Sequence, residues 1–425
     1  MRRRVVATGL GCITPLGTET EQVWPRLVAG ESGVGPISVF DASDFPIKIA
    51  GEVRDWHISD IGEDPADWQG HPRQTLFAVA AAVKAARSAG LPEAGIDPRR
   101  IGVYLGCGET FYEFARMAAV AARRLNGSAQ NGNGSHGASA DGADPLREQS
   151  PGEPAGLAAA LIDAQGPNFN CTAACVSSSQ AIGESVEIIR RGEADVMLAG
   201  GAHSMLHPLG VTGLYQLSVL THGNGDPAKA MRPFDRDRDG FVIGEGGGVV
   251  VLEELEHARR RGAEIWGEIT GYGSSHDAYR ITDLHPDAHG INLSIGRALA
   301  DARLGPDRID YVNAHGTSTV LNDKVETLAI KRFFGSHARR LPISSTKSMV
   351  GHLTTACGAV EAIVSLMALK DGVVPPTINY ETPDPECDLD YVPNAARQVR
   401  CRHILSNSFG FGGQCAALVF SQFMN

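Results

Sequence analysis

Two stretches of the chain decide the fold: CVSSSQAIGESVEIIRRGEADVMLAGG at 175–201 and GHLTTACGAVEAIVSLMALKDG at 351–372. Each follows a polar turn and continues as an apolar stretch rich in small residues, the pattern of a helix that is buried on most sides. Because the two stretches resemble each other, they raise the possibility that the chain contains the same unit twice.

A second pair of segments repeats in the same order. AAAVKAARSAGL (80–91) and RIGVYLGCG (100–108) return as SIGRALADARLG (294–305) and RIDYVNAHG (308–316), each a helix, a turn and an Arg-Ile strand that ends in glycine. The sequence therefore predicts an α/β protein made of two similar halves, residues 1–255 and 256–425. The alternative interpretation is an ordinary alternation of helices and strands without duplication.

The composition indicates a large folded core and excludes some classes of protein. The chain has 425 residues, of which 43% are hydrophobic and 20% charged. Its 38 basic and 49 acidic residues give a net charge of −11, without a Lys/Arg-rich stretch, so we expect no nucleic-acid partner. The apolar segment near the start is too short to span a bilayer, which predicts no membrane association.

The eight cysteines are irregularly spaced and mostly lie in apolar segments. This is typical of reduced thiols rather than of a disulfide framework, so we expect a cytoplasmic protein. The segment NGSAQNGNGSHGASADGADP (126–145) has no apolar period, and we expect it to be a flexible surface insertion.

Cys175 is the first candidate for catalysis. It lies between the strand-like GPNFNC and the helical SSSQAIGESVEIIRRG, so its sulfur should lie beside a helix N-terminus. Unpaired N–H groups and the helix dipole at such a position stabilise a thiolate and lower its pKa. A small core cysteine is the alternative, and Cys171 fits that description better.

Two histidines follow predicted strands or turns and are candidate partners of Cys175. His315 begins the loop HGTSTVLNDKVE after a strand end, where sites of α/β proteins gather. His352 lies in SSTKSMVGHLTTACGAVEA, a polar turn before a helix. A cysteine and two histidines drawn from different segments form a set that suits nucleophilic catalysis.

The sequence does not indicate a metal or a nucleotide cofactor. DRDRDGFVIGEG (235–246) begins like a calcium loop, but its twelfth position is Gly246 instead of glutamate. GEGGGVVVL (244–252) runs into a strand instead of opening a helix, unlike a dinucleotide-binding motif. The cysteines and histidines lack zinc-site spacing, so we predict no catalytic metal.

Several longer motifs identify the chain as similar to the β-ketoacyl-[acyl carrier protein] synthase family, in its elongating Cys-His-His branch. These motifs are VVATGLGCITPLG, AACVSSSQAIGE, RPFDRDRDGFVIGEG, NAHGTSTVLND, SSTKSMVGH and SNSFGFGG. The resemblance implies a thiolase fold, in which duplicated halves form a five-layered αβαβα sandwich. It also implies a dimer, either with itself or with a ketosynthase-like partner, and substrates carried on the phosphopantetheine of an acyl carrier protein, with no other cofactor.

The resemblance also implies roles for individual residues. Cys175 would accept the acyl group, and His315 and His352 would bind the malonyl thioester and promote its decarboxylation. The backbone N–H groups of Cys175 and Phe411 would form an oxyanion hole, with the Phe411 ring as a gate. Further assignments are an ion pair between Lys347 and Glu326, pantetheine contacts at Thr317 and Thr319, and structural support near the site from Asp323, Glu361 and Phe409.

Some positions depart from the family pattern. Ala173 replaces the usual Thr, Ser178 replaces Gly, GHLLGAAG has become GHLTTACG with Cys357, and Gln414 and Cys415 stand in the closing motif. Arg73 is the one recognisable basic residue in a segment that often contacts the carrier protein. These departures favour a specialised polyketide or lipid pathway over housekeeping fatty acid synthesis.

Other functions remain as alternatives. A non-catalytic chain-length-factor subunit of a ketosynthase heterodimer would resemble this chain, but such subunits usually lack the nucleophile. Degradative thiolases are a second alternative, together with initiating synthases that act on coenzyme A thioesters. The initiating type pairs cysteine with histidine and asparagine, and His352 in KSMVGH argues against it.

Overall fold

A computed structural model describes residues 2–108, 122 and 152–424 of the chain. Ten of its strands form one mixed sheet in the order β5-β4-β6-β7-β1-β8-β14-β13-β9-β10. These strands are β1 (Val5–Ile13), β4 (Ile101–Cys107), β5 (Asn168–Cys171), β6 (Val196–His203), β7 (Gly246–Glu254), β8 (Gly267–His276), β9 (Tyr311–Asn313), β10 (Ile343–Ser344), β13 (His403–Gly410) and β14 (Gln414–Ser421). Two small antiparallel sheets contain the remaining described strands, β2 (Val34–Pro36) with β3 (Ile49–Gly51) and β11 (Val373–Val374) with β12 (Arg397–Gln398).

The ten-stranded sheet consists of two five-stranded copies. In the first copy β4 is parallel to β5 and β6, and the antiparallel pairs β6-β7 and β7-β1 follow. In the second copy β9 is parallel to β10 and β13, and the antiparallel pairs β13-β14 and β14-β8 follow. The copies meet where β1 pairs with β8 over two residues, Val6 and Ala7. The predicted duplication is therefore confirmed by the topology.

The helices form the remaining layers of the sandwich. Two of them, α4 (Ser177–Arg191) and α10 (Cys357–Asp371), pack against each other and against strands of both copies, and so form the central layer. An outer layer on one copy contains α2 (Arg73–Ser88) and α3 (Glu153–Leu161), and the other copy is covered by α7 (His289–Ala302) and α8 (Val320–Phe334). The other helices are short: α1 (Thr20–Val28), α5 (Pro208–Gln216), α6 (Leu255–Arg260) and α9 (Lys347–Val350). The five layers confirm the predicted architecture.

Small residues allow the central helices to approach closely. A side chain at Gly358 on α10 would overlap the hydroxyl of Ser179 on α4, and a side chain at Gly183 would overlap the ring of Tyr272. Thirteen residues of α10 from Cys357 to Leu369 are buried, because the helix is covered from both copies of the sheet. The small-residue pattern seen in the sequence is thus the consequence of tight packing at the centre of the molecule.

Most segments predicted from the sequence correspond to observed elements. The helix predicted at 80–91 begins earlier, at Arg73, and the strand predicted at 308–316 is reduced to Tyr311–Asn313 because a 3-10 turn precedes it at Pro306–Arg308. GEGGGVVVL does enter a strand, β7. The predicted boundary at 255 falls at the start of α6. The segment 126–145 lies outside the described residues.

Two further expectations concern cysteines and membranes. All eight cysteines are free thiols, as predicted. Among the described residues, no helix combines the length and the apolar character that a bilayer crossing requires.

Candidate active site

Cys175 lies in the turn between β5 and α4, two residues before the first helical residue, Ser177. The turn is tight because Ala174 adopts a left-handed conformation, with a φ of 48°. The Ser177 hydroxyl fixes this turn, since it accepts a hydrogen bond from the Ala173 N–H at 2.8 Å and donates to the Ala174 carbonyl at 2.7 Å. Cys175 therefore stands beside the N-terminus of α4, where the sequence placed it.

The pKa of Cys175 differs from the expectation. Burial raises the pKa of the thiol to about 11, although the charge of Lys347 and hydrogen bonds from the backbone N–H groups of Phe411 and Cys175 act in the opposite direction. This direction is opposite to the one expected from the helix N-terminus, because burial disfavours the charged thiolate more than the neighbouring charge and donors favour it. The backbone N–H groups of Phe411 and Cys175 nevertheless favour the thiolate form.

His315 and His352 converge on Cys175. His352 Nε2 lies 3.2 Å from Cys175 Sγ, and one ligand-capable atom from each of the three residues lies within 4.8 Å of the others. The two imidazole rings stand almost perpendicular, at 82°, with 5.5 Å between their centroids. Both histidines are 2% exposed. The three residues predicted as a set are thus brought together from three separate segments of the chain.

The environment keeps both histidines neutral. Burial lowers the pKa of His315 well below its usual value, and the charge of Lys347 and the neighbouring His352 lower it further. The pKa of His352 is also lowered well below its usual value, by burial, by Lys347 and by His203. Neutral imidazoles at physiological pH can donate a hydrogen bond to a developing oxyanion, as the resemblance implied.

The ion pair predicted between Lys347 and Glu326 is wrong. Lys347 Nζ pairs with Glu361 on α10, and it lies 3.4 Å from Nδ1 of His315. Burial lowers the pKa of Lys347, but the Glu361 carboxylate more than offsets this, so the pKa of Lys347 is raised overall. Glu361, assigned only to structural support from the sequence, is therefore the counter-ion of the buried ammonium.

Glu326 on α8 supports the histidine loop instead. Its carboxylate accepts hydrogen bonds from the backbone N–H of His315 at 2.9 Å and of Gly316 at 2.8 Å, and from the side-chain amide of Asn407 at 3.3 Å. Burial raises the pKa of Glu326 to about 7. The Glu326 carboxylate is already hydrogen-bonded to the backbone of the loop, which explains why it does not pair with Lys347.

The loop after His315 contains the threonines expected to contact pantetheine. The hydroxyl groups of Thr317 and Thr319 lie 2.9 Å apart, and Thr319 caps α8 by accepting from the Asn322 N–H. Asp323 is fully buried and accepts hydrogen bonds from the backbone N–H groups of Phe234 and Ser318. These bonds fix the conformation of the loop. The pantetheine contacts themselves stay a prediction.

The closing motif, at the end of β13, borders the site. The Phe409 ring is buried, with its centroid 5.4 Å from that of His315. A Cβ at Gly410 would lie 3.2 Å from the Cys175 nitrogen, so a side chain there would crowd the N–H groups assigned to the oxyanion hole. Phe411 is partly buried and precedes Gly412 and Gly413, whose φ angles are 90° and 82°.

Two residues of the site were not predicted. Cys357 Sγ lies 3.1 Å from His352 Nδ1, and the ring of Phe241 meets that of His352 edge-on, with 4.9 Å between centroids. The departure GHLTTACG marked Cys357 as unusual, but its distance from His352 could not be read from spacing. Phe241 lies in the motif RPFDRDRDGFVIGEG and carried no chemical signal of its own.

The predicted absence of a metal stays a prediction. A thiol and two imidazoles are ligands that Zn²⁺ prefers, and the three groups in the site are close enough to share an ion. Metal analysis of the purified protein would distinguish a metal centre from a catalytic triad of free side chains.

Comparisons with known proteins agree with this geometry. The chain matches the model of the beta-ketoacyl synthase N-terminal domain over residues 2–258 and that of the C-terminal domain over residues 266–381. It is 42% identical to 3-oxoacyl-[acyl-carrier-protein] synthase 2 of Coxiella burnetii, over 99% of both chains. It is 41% identical to the granaticin polyketide putative beta-ketoacyl synthase 1 of Streptomyces violaceoruber, over 99% of this chain and 98% of that protein.

A solved structure extends the likeness to three dimensions. The ketosynthase of a type II polyketide system, bound to its acyl carrier protein, superposes with a TM-score of 0.88 at 34% identity, over the full length of both chains. Together with the duplicated five-layered fold and the convergent cysteine and histidines, these matches show that the chain belongs to the beta-ketoacyl synthase family.

Proposed function

We propose that the chain catalyses decarboxylative Claisen condensation, in which an acyl group is extended by a malonyl unit carried on an acyl carrier protein. The observation that carries this proposal is the convergence of Cys175, His315 and His352 around one point, with both imidazoles neutral. A nucleophile beside two hydrogen-bond donors is the arrangement that acyl transfer followed by enolate formation requires.

In the first half of the reaction Cys175 attacks the acyl thioester of the carrier protein. The carbonyl oxygen becomes an oxyanion, which the N–H groups of Cys175 and Phe411 stabilise; both already favour negative charge on the sulfur in the substrate-free site. The bond to the carrier's sulfur breaks, and the thiol proton of Cys175 ends on the departing carrier thiol. An acyl thioester on Cys175 remains.

In the second half His315 and His352 act on the malonyl thioester. Their Nε2–H groups donate to its carbonyl oxygen, so that loss of CO₂ leaves the electron pair in an enolate that they stabilise. The enolate carbon attacks the acyl carbon on Cys175, and the tetrahedral intermediate collapses with expulsion of the Cys175 thiolate. The product is a β-ketoacyl thioester on the second carrier protein. The Cys175 thiolate takes up one proton from solvent water, which its pKa, raised to about 11, favours.

We infer that the two halves divide this work. Residues 1–255 supply the nucleophile and residues 256–425 supply both histidines, Lys347 and Glu361. The repeated order of strands supports this division, because it gives each half its own loop at the centre of the molecule. The eight free cysteines support a cytoplasmic location.

A partner chain fits the free edge of the sheet. Among the described residues, β5 pairs on one side only, with β4, and Phe169 on it is 48% exposed. An edge strand that presents an aromatic side chain is suited to pairing with a second chain, either a copy or a ketosynthase-like partner. Arg73 does not offer a free charge to the carrier protein, because it pairs with Glu245 and donates to the Val53 carbonyl.

A 3-oxoacyl-[acyl-carrier-protein] synthase 2 and a polyketide beta-ketoacyl synthase are almost equally similar to the chain, so the test uses carrier proteins of both fatty acid and polyketide systems. Purified protein should be incubated with acyl carrier proteins loaded with acetyl or longer acyl groups and with labelled malonyl carrier protein. We expect an acyl adduct on Cys175 by intact mass and a product extended by two carbons. An adduct on another cysteine, or no extended product with any carrier protein, would contradict the proposal.

A further inference from the structure

Each catalytic histidine has a buried hydrogen-bonding group at Nδ1. His315 Nδ1 lies 3.4 Å from the ammonium of Lys347, and His352 Nδ1 lies 3.1 Å from the sulfur of Cys357. A group that donates to Nδ1 leaves the ring proton on Nε2, because a neutral imidazole has one donor and one acceptor nitrogen. The partner at Nδ1 therefore decides which nitrogen faces the substrate as a donor.

Cys357 is suited to act as that donor. It is the first residue of α10 and is 2% exposed, and the packing of α10 between both copies of the sheet holds its sulfur in place. Burial raises the pKa of its thiol well above the usual value, so the sulfur keeps its proton at neutral pH. Among the hydrogen bonds of the described residues, Cys357 is the one partner of His352 Nδ1.

We propose that Cys357 is a positioning residue that donates its S–H to Nδ1 of His352 and thereby keeps the ring proton on Nε2. Nε2 lies 3.2 Å from Cys175 Sγ, the place where the malonyl carbonyl must arrive. The inference rests on the proposed function, in which Nε2–H of His352 stabilises the enolate.

The turn between His352 and Cys357 is held in one conformation. Thr354 adopts a φ of 42°, which is strained for a β-branched residue, and the Thr355 hydroxyl donates to the Ala202 carbonyl at 2.8 Å. This turn brings the Cys357 sulfur to His352, and an alanine at 357 would leave Nδ1 without its observed partner.

Lys347 and Cys357 differ in the strength of this constraint. An ammonium can only donate, whereas a thiol is a weak donor and a weak acceptor. The tautomer of His352 should therefore be less strictly fixed than that of His315. Outer partners of metal-bound imidazoles contribute about 10- to 100-fold to activity, and a weak thiol donor should lie at the lower end of that range.

The test compares Cys357→Ala, Cys357→Ser and the control Cys12→Ala, which removes another buried thiol from the same core cluster. We expect Cys357→Ala to condense about tenfold more slowly while acyl loading of Cys175 changes little, because loading uses the N–H groups and not His352 Nε2. Serine keeps an O–H donor and should restore condensation, and the Cys12 variant should behave as the unmodified protein.

Nuclear magnetic resonance of protein with ¹⁵N-labelled histidine reads the tautomer directly. His352 in the unmodified protein should show a protonated Nε2 and an unprotonated Nδ1, and Cys357→Ala should shift this signal towards a mixture. A protonated Nδ1 in the unmodified protein would overturn the inference, as would a Cys357→Ala variant with unchanged spectrum and condensation. If the unmodified protein does not condense at all, the proposed function fails, and the spectra alone still decide the role of Cys357.

Discussion

The loop after β5 and the loop after β10 occupy equivalent positions in the two halves, yet they carry different chemistry. Each connects a short strand to a central helix, α4 in the first half and α10 in the second. The first loop presents Cys175, which is partly exposed, and the second presents Lys347 and His352, which are buried. The two loops thus meet at one site, and in the proposed reaction the first supplies the nucleophile and the second supplies one of its histidine partners.

Burial and charge account for the difference between the loops. The segment from Cys171 to Gly183 has no charged side chain, whereas the second loop carries a buried ammonium that requires Glu361 as counter-ion. That positive charge lowers the pKa of both histidines and also favours the thiolate of Cys175 across the interface between the halves. Lys347 therefore acts on all three groups, but burial is the largest influence on each pKa and keeps the Cys175 thiol protonated.

The largest effect is expected from removal of either imidazole. His315→Ala or His352→Ala should lower condensation by at least about 10²-fold, because each removes a preorganised donor to the enolate oxygen. Acyl transfer to Cys175 should persist, since the N–H groups of Cys175 and Phe411 remain. Intact mass reports the acyl adduct, and product analysis reports condensation. If both variants fold but no longer accept an acyl group, the division of roles between the loops is wrong.

The second prediction concerns the buried ion pair. Glu361→Gln should destabilise the protein by about 3–5 kcal/mol, because it leaves the ammonium of Lys347 buried without a counter-ion. Glu326→Gln should cost less, about 1–3 kcal/mol, since glutamine keeps one acceptor for the backbone N–H groups of the His315 loop. Denaturant unfolding monitored by circular dichroism gives both values. An equal or larger loss of unfolding free energy for Glu326→Gln would support the ion pair between Lys347 and Glu326 that was predicted from the sequence.

Local patterns predicted the architecture well, because buried helices and strands leave a periodic signature. The repeats at 80–108 and 294–316 led to the two halves, and the small residues at 175–201 and 351–372 led to the central helices. The motifs around Cys175, His315 and His352 indicated the catalytic set before any distance was known.

Pairings between distant segments could not be predicted in the same way. Lys347 and Glu361 are 14 residues apart in the sequence, and the chain turns at Gly351 so that their side chains meet. The raised pKa of Cys175 depends on how completely the surrounding layers exclude water, which the helix N-terminus alone does not indicate. Cys357 reaches His352 only because the intervening turn folds back.

The third prediction concerns the difference in reactivity between the thiols of Cys175 and Cys357. Since the pKa of Cys175 is raised to about 11, its reaction with iodoacetamide should accelerate by about tenfold per pH unit from neutral pH upward, as the thiolate fraction grows. Cys357 should remain unlabelled because it is buried. Peptide mapping after short exposures over a range of pH separates the two sites. A labelling rate of Cys175 that is already constant at neutral pH would show that the helix N-terminus does lower its pKa, as the sequence suggested.

The smallest expected effect concerns the order of events at Cys175. Phe411 lies between Gly410 and Gly412, and the chain after it is held by hydrogen bonds from the Gly412 N–H to the Ile281 carbonyl and from the Gly413 N–H to the Gly410 carbonyl. Glycine permits the backbone to change conformation, so the ring can swing away once Cys175 carries an acyl group. Phe411→Ala should therefore admit malonyl groups before priming and raise the CO₂ released per condensation by about twofold or more.

Phe411→Leu keeps an apolar side chain at the entrance and should give an intermediate ratio. Because the histidines are untouched, the rise should be similar with short and long primers. The contrary outcome is a ratio of CO₂ to β-ketoacyl product that stays constant in both variants while both rates are retained. In that case the Phe411 ring only packs, and Phe411 contributes to the site through its backbone N–H group alone.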